Sequence, residues 1–338
     1  MIRNFLVALA ALTAFGAGSI AVPQRADAQT LEQSQNVGEW AAQFQRIVLG
    51  FVQPLQQLPS PPDPSMNRTE RRAWAATART WAATAQASFT AARADLERLP
   101  ASPPAHDAMS GRLREAIESA LPRLREALDA GDRISSAYLS LADAVDRNQM
   151  DRVNAIRVIA IDAALVSTRL FQDTNAAQDA AATEGNPQGP LAGSYAHSYA
   201  AMWAVLKYRR DLMAGDPVDR LAAANGVADA ARQMSQSIVS GRADLALLNA
   251  QLGDPAIVAS IEPALVPRLR AVAATFDESF DREELVVGDF EQIAALLRDP
   301  RGGDANESAI DFHLNAFATR DAERMNDIQR RNSIMTAP

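Results

Sequence analysis

The 338-residue chain has no cysteine, three histidines and a single lysine, Lys207. Without thiols it can hold no disulfide framework, thiolate zinc site, iron–sulfur cluster, cysteine nucleophile or thioether lipid anchor. His106, His197 and His313 are far apart, and none has a second His or a Glu three or four residues on. The H-E-x-x-H and E-x-x-H metal signatures are therefore missing, so no metal or other cofactor is expected. Positive charge is also scarce, with 33 Lys plus Arg against 41 Asp plus Glu and a formal charge of −8. That balance argues against nucleic-acid binding, which needs clustered cations to displace phosphate counterions, and against docking on anionic lipid. No phosphate-binding Gly loop, G-x-S-x-G elbow or nucleophile with a local base is present, so an enzyme is the less favoured reading.

Large apolar side chains are sparse too. Hydrophobic residues make up 48% of the chain, but about a fifth of all residues are Ala, leaving about 27% in the larger types, low for folded domains. Alanine is the strongest helix former and lets helices approach closely, whereas strands need the β-branched and aromatic residues lacking here. The expected fold is all-α, a multi-helix bundle of long Ala-rich helices with closely packed coiled-coil-like seams.

The one long apolar run is at the start. Arg3 supplies a positive n-region, Phe5 to Val22 an apolar segment, and Ala26-Asp27-Ala28 a small-residue cleavage site. This reads as a Sec-type signal peptide over residues 1–28, cleaved after Ala28. Removing Arg3, Arg25 and Asp27 leaves 31 basic against 40 acidic residues, a charge of −9 on 310 residues. No later stretch reaches the 18 apolar residues of a membrane span. The mature protein is therefore expected to be periplasmic or secreted, acidic, and without stable membrane insertion.

Helix signals follow at intervals. Trp40, Phe44, Ile47, Val48 and Phe51 share one helical face, closed by Pro54 and Pro59. Asn67, with Glu70 three residues on, forms a capping-box pattern that opens a helix running to about Leu99. Inside it, Trp74-Ala-Ala-Thr-Ala recurs as Trp81-Ala-Ala-Thr-Ala. This heptad step places both tryptophans on one face together with Ala78, Ala85, Ser88, Ala92 and Leu99. Helical patterning resumes near Asp107 and continues past Pro122, where a kink is expected. Another long helix spans about Asp151 to Thr183. The Gly-Asp pairs at Gly131, Gly215, Gly253 and Gly288 are expected to mark turns, with Gly at the left-handed C′ position and Asp capping the next helix. A loop from Glu184 to Pro190 divides the chain into an N-terminal helical half, 29–183, and a C-terminal half, 190–338.

The densest polar–aromatic segment runs from Ser194 to Tyr208 and holds three of the four tyrosines. Tyr195, Tyr199, Met202, Trp203 and Leu206 fall on one helical stripe, with His197 facing elsewhere. From Asp277 to Glu291, seven acidic residues are opposed locally by Arg282 alone. The run lacks a calcium-loop pattern and reads as a solvated face. The preferred function is an exported binding, scaffold or chaperone-like protein acting through helix faces. Its candidate ligand- or partner-binding residues are Tyr195, His197, Tyr199, Trp203, Trp74 and Trp81. One alternative is a small-ligand or peptide receptor built on Tyr195, Tyr199 and Trp203; another is an enzyme whose site assembles from distant residues including His197.

Overall fold

The computed structural model describes residues 39–336 except 41, 42, 45, 52, 56, 60, 61, 63, 64, 103–110, 150, 151, 183, 184, 260 and 262. The signal segment, His106, the helix start near Asp107 and Glu184 lie outside the described residues. The fold is an all-α bundle with no strand among the described residues. After helical residues between 39 and 55 come α1 (Arg68–Arg98), α2 (Gly111–Asp146), α3 (Val153–Ala181), α4 (Gln188–Ala214), α5 (Arg220–Gly253), the single turn α6 (Pro255–Val258), α7 (Leu265–Arg298) and α8 (Gly303–Thr336). No described helix is long and apolar enough to cross a membrane.

Local chemistry accounts for several boundaries. The Asn67 side chain accepts from the amides of Thr69 and Glu70, and Glu70 accepts from the Asn67 amide at 2.7 Å, completing the capping box. Gly215 closes α4 with φ 73°, a left-handed conformation that a Cβ would disfavour. Asp254 caps α6 ahead of Pro255 at its first position.

Gly253 ends α5 without the left-handed conformation expected of it, and two of the pairs are not turns: Gly131-Asp132 lies inside α2 and Gly288-Asp289 inside α7. Gly131 serves packing, since a Cβ there would come within 3.0 Å of the Phe89 ring of α1. Asp132 takes a 2.6 Å ion pair with Arg93, and Asp289 pairs with His313 and Arg320, so both aspartates bind neighbouring helices rather than capping. Pro122 lies within α2, which continues through it to Asp146.

Each long helix packs antiparallel against the next. Arg79 meets Asp143 and Asp146 across α1 and α2, with Arg93 meeting Asp129 and Asp132 further along. Phe290 meets Phe317, and Glu278 meets Arg330, across α7 and α8. Helix α3 packs against both α2 and α4, and α4 contacts α7 as well as α5. The buried positions advance by three and four residues alternately, the spacing of coiled-coil-like packing. In α1 they are Ala75, Ala78, Ala82, Ala85, Phe89, Ala92 and Leu96, with Trp81 buried beside them; in α5 they are Ala224, Val227, Ala231, Met234, Ile238, Gly241, Leu245, Leu248 and Leu252, with Ala230 buried beside them. At Gly241 a Cβ would sit 2.2 Å from Phe280, so the α5–α7 approach depends on this glycine.

Candidate functional site

Two places gather the residues singled out above. The first lies where the early helical segment meets α1. Trp81 is 7% exposed; its indole Nε1 donates to the Pro54 carbonyl at 2.7 Å, and its ring meets Tyr138 of α2 edge-on at 5.0 Å. Trp74 is half-buried, 6.4 Å from the same tyrosine. The Tyr138 hydroxyl donates to the Pro59 carbonyl, so both prolines that end the early helix act as anchors for aromatic donors.

Beside Trp81 an open groove of about 430 Å³ runs along α1, with Pro54, Gln57, Thr77, Thr80 and Thr84 on its walls. The Thr77 and Thr84 hydroxyls donate to carbonyls one turn back at 3.1 and 3.0 Å, which leaves their lone pairs facing outward as acceptors. The lining is apolar and hydroxyl-bearing with no charged side chain. Such a surface suits a neutral ligand or the side of another helix.

The second place is the interior shared by α4, α7 and α8, where the heptad stripes change character. On α7 the run Val272, Phe276, Ser279, Glu283, Val286, Phe290 is buried throughout, as is Ile310, Leu314, Phe317, Asp321, Arg324, Ile328, Arg331 on α8. Charged residues thus occupy core positions of both helices. Arg324 donates to both Glu283 oxygens at 2.7 and 2.6 Å, to Asp321 at 2.7 Å and to the Ser198 hydroxyl at 3.1 Å. All three charged side chains are 0% exposed. Ser194 donates to Glu283 and the Tyr199 hydroxyl to Asp321, while the Arg324 guanidinium lies 4.5 Å over the Tyr195 ring. One turn further along, Ser279 donates to Asp327, Arg331 donates to Ser279, and Arg282 pairs with Asp327 and Glu323.

The electrostatics follow from two carboxylates sharing one cation in a dry interior. Burial pushes the Asp321 carboxyl up to about 7, a rise that Arg324 opposes and the Glu283 charge reinforces. Burial pulls Arg324 down, but the flanking Glu283 and Asp321 carboxylates hold it above its ordinary value. Burial raises the Tyr195 phenol to about 12, and raises Tyr199 well above its usual value. The cluster has no face open to solvent, so chemically it holds helices together and fixes their register rather than reaching a substrate.

The structure therefore brings Trp74 and Trp81 together at Tyr138, and Tyr195 and Tyr199 together at the charged cluster. Both tyrosines are 2% exposed, so a ligand reaching their rings has to part α4 from α8. Trp203 is half-buried, 6.0 Å from the Arg169 guanidinium of α3. His197 is half-buried as well, and burial pulls its imidazole below the ordinary value. The acidic run on α7 is laced to arginines of its neighbours: Asp277, Asp281 and Glu284 all meet Arg242 of α5. Among the described residues no group of three or more His, Asp or Glu is placed to hold a metal ion. The chain matches no family model, and no curated protein or solved structure matches it either.

Neither Asp321 nor Arg324 is singled out by the sequence reading, and Glu283 belongs to the acidic run expected as a solvated face, whereas it is fully buried. Their signal is the three-four spacing itself: Ile310, Leu314 and Phe317 extrapolate to 321, 324 and 328, which places an acid and an arginine where apolar residues belong.

Proposed function

We propose that the protein is exported and acts as a binding or scaffold protein through a helix face, without covalent chemistry. The face is the outer side of α1 beside Trp81. The observation that supports this reading is the open groove there, because its exposed wall of Ala76, Thr77, Thr80 and Thr84 runs along α1 beside the buried Trp81. Its uncharged lining favours an apolar or hydroxyl-rich partner surface over an ionic one.

Envelope extract passed over immobilised protein, in parallel with the Thr80→Arg variant, tests the reading. Thr80 is exposed and Arg is a good helix former, so the variant should fold while placing a charge in the groove. A component retained by the wild type and lost by Thr80→Arg is the expected result; equal retention by both would move the binding face elsewhere.

A further inference from the structure

Helix α8 buries more charged residues than any other described helix, namely Asp321, Arg324, Asp327 and Arg331. Its buried stripe alternates apolar residues with Asp321, Arg324 and Arg331, and its bonds to α4 and α7 are largely ionic. Arg209 of α4 meets Asp311 and Glu307, and Tyr208 donates to Glu307. On the α7 side, Glu283, Arg282, Glu278 and Asp289 meet Arg324, Asp327, Arg330 and His313 in turn. By contrast, every residue that α5 buries is apolar.

We propose that the Glu283–Arg324–Asp321 cluster is a proton-operated clamp on α8. With one proton held, the cluster is neutral and α8 is locked against α4 and α7; when the proton leaves, a second carboxylate charge sits in the core and α8 loosens. The groups facing Asp321 are Tyr195, Tyr199 and Ser198 from α4, Glu283 from α7, and Arg324 from its own helix. Of these, only Arg324 is cationic, and Glu283 already engages it through both oxygens. Asp327, Arg282 and Arg331 sit one to two turns further along and pair among themselves and with Ser279. The tyrosines are raised by burial and stay neutral throughout the range. Burial places the Asp321 transition near neutral pH, within the range an exposed compartment experiences. Burial lowers the His313 imidazole beside Asp289, so its proton loss comes at lower pH than that of Asp321.

Amide hydrogen exchange of the full chain, read by peptide mass and corrected for intrinsic rate, tests the clamp at pH 6 and pH 8.5. Protection of α8 peptides should fall about tenfold at the higher pH while α1 and α2 peptides hold theirs. Asp321→Asn keeps the shape without the titrating proton, and Glu283→Gln leaves Arg324 one carboxylate; each should abolish the fall. Equal α8 protection in the wild type at both values would overturn the proposal, whether or not the variants fold. A fall that persists in folded Asp321→Asn would assign it to another group and overturn it equally.

Discussion

Replacing Arg324 with methionine tests the energetic reading of the buried cluster. The side chain is 0% exposed and makes four hydrogen bonds, three to carboxylates and one to Ser198, besides lying over the Tyr195 ring. Methionine keeps most of the volume but leaves Glu283 and Asp321 facing one another without a cation. Breaking a buried pair from one side costs about 3–5 kcal/mol, because the remaining charge has neither water nor a cation to offset it. The loss should be pH-dependent. At pH 8 both carboxylates must be neutralised against the solvent, so the upper part of that range applies. At pH 5 Asp321 already carries its proton in the wild type, and the loss should fall to about 2 kcal/mol. Replacing all three groups by apolar residues, Glu283→Leu, Asp321→Leu and Arg324→Met, should recover most of the stability, since well-packed apolar substitutes for a buried triad are close to neutral or better. Urea unfolding followed by circular dichroism at the two pH values measures each term. A loss below about 1 kcal/mol for Arg324→Met at pH 8, or a triple variant as unstable as the single one, would refute the argument.

Asp321→Asn should change the pH profile of stability. The folded carboxyl is raised from 3.8 to about 7, so its stabilising contribution is full below the unfolded value and is lost as pH rises through 7. At about 1.4 kcal/mol per tenfold in proton affinity, the wild type should lose about 2.5 kcal/mol from this group between pH 5 and 8. Denaturant midpoints of wild type and variant that stay parallel over that range would contradict it. Gly241→Val should destabilise by more than about 2 kcal/mol, because even a Cβ would meet Phe280 at 2.2 Å, and thermal melting reads the loss. Asn67→Ala removes the cap of α1 and should cost about 1 kcal/mol by the same assay, whereas Asn67→Ser should cost little.

What the sequence discloses depends on how local the cause is. Asn67 and Glu70 form their capping box within four residues, and Gly215 and Asp254 act on their own helix ends, so each is readable from its neighbours. Gly131 and Gly288 carry the same dipeptide but not the same role, because a distant ring, Phe89, explains Gly131 and nothing within its own helix does. The stripe of Tyr195, Tyr199, Met202 and Leu206 was visible, but which helices would cover it was not. Asp321 and Arg324 look like two of many surface charges until the phase of α8 is set by Ile310, Leu314 and Phe317. The acidic run on α7 likewise seemed unopposed, since its arginine partners come from α5 and α8. At the groove, the Trp74 and Trp81 heptad was legible, whereas the Pro54 carbonyl that orients the Trp81 indole lies 27 residues away.

Since the chain has no cysteine, Thr80→Cys introduces a unique thiol in the groove, and a photo-crosslinker attached there tests directly whether α1 is a binding face. Illuminated in envelope extract, the groove-labelled protein should capture a discrete species that excess unlabelled protein displaces, and the same label at exposed Arg232 of α5 should not. Capture of the same species from both positions, or of none from the groove, would contradict the assignment.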